Sequence, residues 1–180
     1  MPTPAAPRPS SCPPDHALGL LIRTAHALRH WWPRHPASAP PTRQVQLLAL
    51  AALLDEAVDA QPVADWAVAA CGEPGPVPRA AAQDAGLQIS VYHRLMVRLR
   101  AMHLDEDVTL LGERASRLLA YHEWILHQAV NLAFTAQPDP RIEDARLRLN
   151  GLGKPAVDLR ELRDEVRACA EQVCCEGSAP

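Results

Sequence analysis

Residues 107–135 read DVTLLGERASRLLAYHEWILHQAVNLAFT, a stretch that contains no proline and a single glycine. Its core-type positions recur at steps of three and four residues, which is the period of one face of an α-helix. They are Val108, Leu111, Ala115, Leu118, His122, Ile125, Ala129 and Leu132. The spacing predicts one unbroken helix that packs on this face at the centre of a helical bundle.

A second face of the same predicted helix carries aromatic rings together with groups that form hydrogen bonds. It consists of Arg117, Tyr121, Trp124, Gln128 and Asn131. Tyr, Trp and Arg are the residue types that contribute most of the binding energy at protein interfaces. We therefore predict a partner-binding surface at this face, extended by Arg94 and Arg98 from the preceding helix.

The composition fits an all-α globular protein. The 180 residues are enough to bury one core without metal or disulfide cross-links. Hydrophobic residues make up 48% and aromatic residues only 4%, so Leu, Ala and Val must fill the core. These favour helix, Val the least of the three, and alternating Val, Ile and Thr strand patterns are nearly absent. The expected fold is all-α, an irregular bundle of about six to seven helices. Residues 107–135 and 42–60 are expected at its centre.

Prolines and glycines divide the chain into segments. The proline-rich residues 1–14 are predicted to be a disordered tail, and residues 176–180 a second one. Residues 15–175 are expected to form a single helical domain, beginning with a helix over 15–32. The segment 72–78, GEPGPVP, is the strongest break and a candidate hinge.

Within that domain, local signals set the expected helix boundaries. Thr42 has the side chain of an N-cap residue for the helix 42–60, which is apolar nearly all round and so predicted to be buried. Pro62 is expected at the first turn of a separate, shorter helix that ends at Gly72.

Cellular location is inferred from cysteine usage and hydropathy. The five cysteines include no C-x-x-C pair, and the N-terminal residues are rich in proline rather than apolar. The longest apolar run, around 47–54, is much shorter than a membrane span. The net charge of −3 provides no general attraction for nucleic acid or an anionic membrane. We therefore expect a cytoplasmic protein that is not bound to a membrane.

Residues 78–102, PRAAAQDAGLQISVYHRLMVRLRAM, point to an alternative function. A short helix, a turn at Gly86 and a longer helix would form a DNA-binding helix-turn-helix. The side chains facing the DNA groove would be Gln88, Ser90, His93, Arg94 and Arg98. The apolar Ile89 and Val91 on that side and the negative net charge argue against nucleic acid binding.

Histidines offer no metal-binding pattern. His26 and His30 are one helical turn apart but lack a third ligand at a recognisable distance. In HEWILH, His122 and His127 are separated by about 140° around a helix, so they cannot bind one ion together. No metal, cofactor or catalytic residue is therefore predicted.

His122 is nevertheless unusual, because it falls within the apolar stripe. The favoured interpretation is a buried imidazole that bonds to a backbone carbonyl or a carboxylate; a ligand pocket beside it is the alternative. Glu123 and His127, one turn apart, are a weaker candidate for an acid/base pair. Together these observations predict a non-enzymatic cytoplasmic regulator or adaptor that binds a partner protein and modulates it. Its oligomeric state stays open, a homodimer included.

Overall fold

The computed structural model describes residues 41–136 and 139–176, and every regular element in these residues is an α-helix. They are α1 (Arg43–Gly72), α2 (Arg79–Ala101), α3 (Glu106–Ala133), α4 (Pro140–Arg146) and α5 (Lys154–Glu176). The all-α prediction is confirmed, with five helices in the described part instead of the larger number expected for the whole chain. The predicted tail 1–14, the predicted helix 15–32 and residues 177–180 lie outside the described residues.

α3 is the unbroken helix that the sequence predicts. One face of it is buried along its whole length, from Val108 through Ala115 and His122 to Ala129. Glu106 and Asp107 place carboxylates in its first turn, where the helix dipole stabilises negative charge. α3 packs against each of the other four described helices.

α1 corrects the prediction of two helices separated at Pro62. Its start is as predicted, because the Thr42 side chain accepts a hydrogen bond from the backbone N–H of Val45 at 3.4 Å. The helix then continues through Pro62, whose ring is exposed, to Gly72. One buried stripe spans the proline, formed by Ala57, Gln61, Ala64, Val68 and Cys71. Packing of this stripe outweighs the cost of an interior proline, about 3 kcal/mol.

The first turns of α1 are exposed on one side and fixed by hydrogen bonds of a buried glutamine on the other. Val45 and Leu48 are each 52% exposed, so the prediction of burial all round this helix is wrong here. Gln46, by contrast, is buried. Its Nε2 donates to the carbonyl of Pro41 at 2.8 Å, and its Oε1 accepts from the backbone N–H of Asp105 at 2.7 Å. This amide therefore ties the start of α1 to the connection between α2 and α3.

α2 is also a single helix, so the predicted helix-turn-helix is wrong. Gly86 lies exposed in mid-helix instead of at a turn. The buried positions continue on both sides of it, with Ala81 and Ala85 before and Tyr92 and Leu95 after. An exposed glycine costs a helix only about 1 kcal/mol, which this continuous packed face exceeds.

The short helix α4 holds the end of α1 through Arg146, which is only 4% exposed. Nη1 of Arg146 donates to the carbonyls of Cys71 and Glu73, each at 2.7 Å, while Nε donates to the Glu143 carboxylate at 2.7 Å. The guanidinium thereby satisfies carbonyls that have no helical donor at the end of α1. The beginning of the segment 72–78 is thus fixed, and its role as a hinge stays a prediction.

α5 packs as the sequence pattern predicts. Leu159, Leu162 and Val166 are fully buried, and Cys169 and Val173 are half-buried. Ion pairs border this stripe on both sides: Arg114 of α3 bonds to Glu165 at 2.6 Å, and Arg167 lies 2.7 Å from Asp55 of α1. α5 is therefore attached to both long helices.

Candidate functional site

A cluster of polar side chains lies in the middle of the bundle and joins four helices. Gln61 of α1 is 3% exposed, and its Nε2 donates to the carbonyl of Ala156 in α5 at 3.0 Å. The same nitrogen lies 3.3 Å from Nε2 of His122 in α3. The ring of Tyr92 in α2 lies against that of His122 with 5.0 Å between the centroids and a tilt of 35°, and its hydroxyl donates to the carbonyl of Ala57 at 3.1 Å.

The hydrogen bonds of His122 define its tautomer. Nδ1 lies 2.7 Å from the carbonyl oxygen of Leu118, which only accepts, so Nδ1 carries the hydrogen. Nε2 is then free to accept from Gln61. Burial lowers the pKa of His122 below its ordinary value of 6.5, and the bond to Leu118 offsets part of that shift. The imidazole is therefore neutral at pH 7.

The hydrogen bonds of this buried cluster connect the helices within the core. The prediction of a core imidazole bonded to a backbone carbonyl is confirmed. Burial likewise raises the pKa of the Tyr92 phenol, which keeps it a neutral donor. The suggested pairing of Glu123 with His127 is replaced by another contact, because Oε1 of Glu123 lies 3.2 Å from Nδ1 of His93 in α2.

The outward face of α3 is the second candidate site. At about 100° per residue, Trp124 lies roughly opposite His122 across the helix, and Arg117 and Asn131 lie within about 20° of Trp124. Trp124 is 53% exposed, while Tyr121 is half-buried with its ring centroid 5.7 Å from that of Trp124. Gln128 is half-buried on the Tyr121 side. The α3 residues of the predicted surface therefore share one face.

The two arginines of α2 do not extend this face. His93 marks the side of α2 that meets α3, and Arg98 lies about 140° further around the helix. Arg98 donates to the carboxylate of Glu56 in α1 at 2.6 Å, on the opposite side of α2. Arg94 is exposed between these two directions. The outward face of α3 and the pair Arg94 and Arg98 are separate surfaces.

Four of the residues predicted to read DNA bases, Ser90, His93, Arg94 and Arg98, lie within about 140° of one another on the exposed side of α2. Ser90 bonds to the carbonyl of Gly86 at 3.1 Å, and His93 and Arg98 bond to the carboxylates of other helices. Gln88 is half-buried. Arg94 is exposed on the same side as Ser90, His93 and Arg98. The structure contradicts the turn at Gly86, and DNA binding by this side of α2 stays a prediction.

Sequence reasoning missed two features. Leu110, 68% exposed, lies seven residues before Arg117 and so continues the outward face of α3 towards its N-terminus, a period that the sequence itself displays. A pocket of about 420 Å³ between α1 and α5 involves Gln61, Ala156 and Arg160. Nothing in the sequence indicates it, because it depends on contacts between residues far apart in the chain.

The chain matches no protein-family model, and neither a curated protein nor a solved structure was found to match it. No helix within residues 41–136 and 139–176 is long and apolar enough to cross a membrane. In the same residues, no three His, Cys, Asp or Glu side chains are placed together to hold a metal ion.

Proposed function

We propose that this protein is a regulator or adaptor that binds a partner protein through the outward face of α3. That face is defined as Leu110, Arg117, Tyr121, Trp124, Gln128 and Asn131. The observation that carries the proposal is the exposure of Trp124, 53%, on the side of the helix opposite the buried stripe. An indole at that position contributes little to the core, whereas Trp is among the residues most enriched at binding hot spots.

The surroundings of Trp124 suit a protein interface. Tyr121 lies against it with one side packed on the core, so the tryptophan rests on a fixed support. Around the two rings are Gln128 and Asn131, which offer amide donors and acceptors. Such a polar rim around an aromatic centre is the usual composition of a non-obligate interface.

The dimensions favour a helical segment as the partner element. From Leu110 to Asn131 the face is about 32 Å long at 1.5 Å per residue, and it is one helix wide. A face one helix wide presents less area than a standard interface, which buries about 800 Å² on each partner. Arg117 has only a distant contact with Glu113, at 3.9 Å, so its charge is free to meet a partner carboxylate. The partner segment therefore carries apolar side chains together with acidic ones.

Site-specific photo-crosslinking tests this assignment in the native host. A photo-reactive amino acid is introduced in place of Trp124, and in a parallel strain in place of Trp66, which is 45% exposed on α1. The expected result is one protein species captured from position 124 and not from position 66. The capture should decrease when Arg117→Ala and Asn131→Ala are added, because both residues belong to the same face.

The outcome distinguishes several occupants. Capture of the chain by itself would identify the face as a homodimer contact. Capture of the same mixture from both positions, or of nothing at position 124, would contradict the proposal. Trp124→Ala must also keep the helical circular dichroism signal, since loss of the fold would show that the indole belongs to the core.

A further inference from the structure

The pocket between α1 and α5 lies next to the buried polar cluster and away from the outward face of α3. Its volume is about 420 Å³, within the range of about 300–1,000 Å³ that is usual for small-molecule sites. α1 lines it with two successive turns, at Val58 and Asp59 and again at Pro62 and Asp65. Gln61 lies between these turns and also lines the pocket.

Two neutral acceptors at this pocket lack their usual donors. Both hydrogens of the Gln61 amide nitrogen are used by His122 and Ala156, whereas its Oε1 is buried with no hydrogen-bond partner among the described residues. The second acceptor is the carbonyl of Val58. Residue 62 is a proline without an N–H group, so Val58 loses the donor that a helix normally provides. The buried Oε1 of Gln61 without a donor is costly, about 1–3 kcal/mol, and both acceptors are natural binding points for a ligand N–H group.

The charged groups around these acceptors are mainly negative. Asp59 and Asp65 both line the pocket from α1, and both are exposed to solvent. Oδ1 of Asp65 accepts from the backbone N–H of Leu152 at 2.7 Å, which leaves Oδ2 for a ligand. Arg160 is the one basic side chain of the pocket lining. Acceptors and carboxylates thus outnumber donors.

We infer that this pocket binds a small organic ammonium ion. Its N–H groups bond to Gln61 Oε1 and the Val58 carbonyl when the ion is seated deeply between the helices, and its charge is balanced by Asp59 and Asp65. Ligand atoms beyond the ammonium group face Arg160, whose guanidinium would bind a ligand carboxylate. Diamines and basic amino acids share this chemistry, and the two differ at the Arg160 end.

Calorimetric titration of the full chain, at constant ionic strength, tests the inference with named probes. 1,4-Diaminobutane and L-lysine should each bind saturably. 1,4-Butanediol lacks the charge and tetramethylammonium lacks N–H donors, so neither should bind. Asp59→Asn should weaken diaminobutane binding about 1.5-fold to fivefold, the range typical of an exposed ion pair. Glu161→Gln, an exposed carboxylate of α5 outside the pocket lining, is the matched control and should leave binding unchanged.

Two further variants complete the test. Gln61→Leu removes the buried acceptor and should abolish diaminobutane binding; because this change also affects the core, the backbone amide spectrum is compared with that of the unaltered protein. Arg160→Gln should weaken L-lysine but not diaminobutane. Equal binding of tetramethylammonium, or diaminobutane binding that Asp59→Asn leaves intact, would overturn the inference. None of these results bears on the outward face of α3, because the two surfaces share no residue.

Discussion

Gln61 of α1 and His122 of α3 bond to each other across the middle of the bundle, with 3.3 Å between their Nε2 atoms. The bond requires an imidazole without a hydrogen on Nε2, because the facing amide nitrogen is itself a donor. Protonation of His122 would bring two donors together in a buried space. The stability of the whole bundle is therefore linked to the charge of one side chain.

This linkage predicts a loss of stability in mild acid. In the unfolded chain His122 titrates near 6.5, and burial lowers its pKa in the folded protein. The unfolded state therefore binds more protons between these two pKa values. The contribution is complete above pH 6.5 and decreases as pH falls towards the folded-state pKa. Urea unfolding at about pH 7.5 and about pH 5 measures the difference.

His122→Asn is the variant that tests this prediction. The asparagine amide can still donate to Leu118 but does not titrate, so the acid-induced loss should become smaller. At neutral pH the variant should be less stable by about 1–3 kcal/mol, because a buried hydrogen bond is lost. His127→Asn, exposed on the same helix, is the control. An unchanged pH dependence in His122→Asn would show that other groups cause it.

Arg146→Met is expected to destabilise the protein by about 2–4 kcal/mol. The guanidinium is buried and donates to Cys71 and Glu73, and these carbonyls would lose their donor. Methionine fills much of the same volume, so the loss reflects hydrogen bonding more than packing. Urea denaturation gives the free energy of unfolding. Arg148→Met, which removes an exposed ion pair with Asp144, should cost less than about 0.5 kcal/mol.

Gly86→Ala is expected to stabilise the protein by about 0.5–1 kcal/mol. Gly86 is in mid-helix, and an added Cβ would meet no atom within 4 Å. Alanine has the higher helix propensity and so favours the folded chain. The control is Gly75→Ala, which should destabilise, since Gly75 has a φ of +96° that disfavours a side chain. A destabilising Gly86→Ala would indicate a turn at this position.

Pro62→Ala is expected to raise the free energy of unfolding by about 2–2.5 kcal/mol, the interior helix cost of proline less its effect on the unfolded chain. Alanine returns an N–H donor to the carbonyl of Val58 and completes the helical ladder of α1. Thermal unfolding followed by circular dichroism measures the change. Val63→Ala, at the neighbouring exposed position, should shift the midpoint much less. A lower midpoint for Pro62→Ala would show that the proline is needed by the packed structure.

Pro62 and Gly86 also show where sequence reasoning fails. Each is a strong local signal for a helix boundary, and each lies exposed inside a long helix. The residues before and after them form one buried stripe, and tertiary packing outweighs the local preference. Where local and tertiary preferences agree, as at the Thr42 cap and along Glu106–Ala133, the prediction from sequence is accurate.

The candidate surfaces also differ in whether they depend on one helix or on the packing of several. Helical periodicity alone places Tyr121, Trp124 and Asn131 on one face of α3, because that relationship lies within a single element. The partner of Arg98 depends on which helix packs against each side of α2. Its bond to Glu56 exists because α1 packs on that side, which the sequence of α2 does not reveal. The pocket at Gln61 depends equally on pairing, since its walls come from α1 and α5.

The hydrogen bonds from Arg146 to the end of α1 affect how the chain folds during synthesis. The contact of Arg146 with the carbonyl of Cys71 joins positions 75 residues apart. The end of α1 emerges long before the guanidinium that caps it, so its last turn frays throughout that interval. A chain that ends before Arg146 is therefore expected to be cleaved near the end of α1 more readily than the full chain.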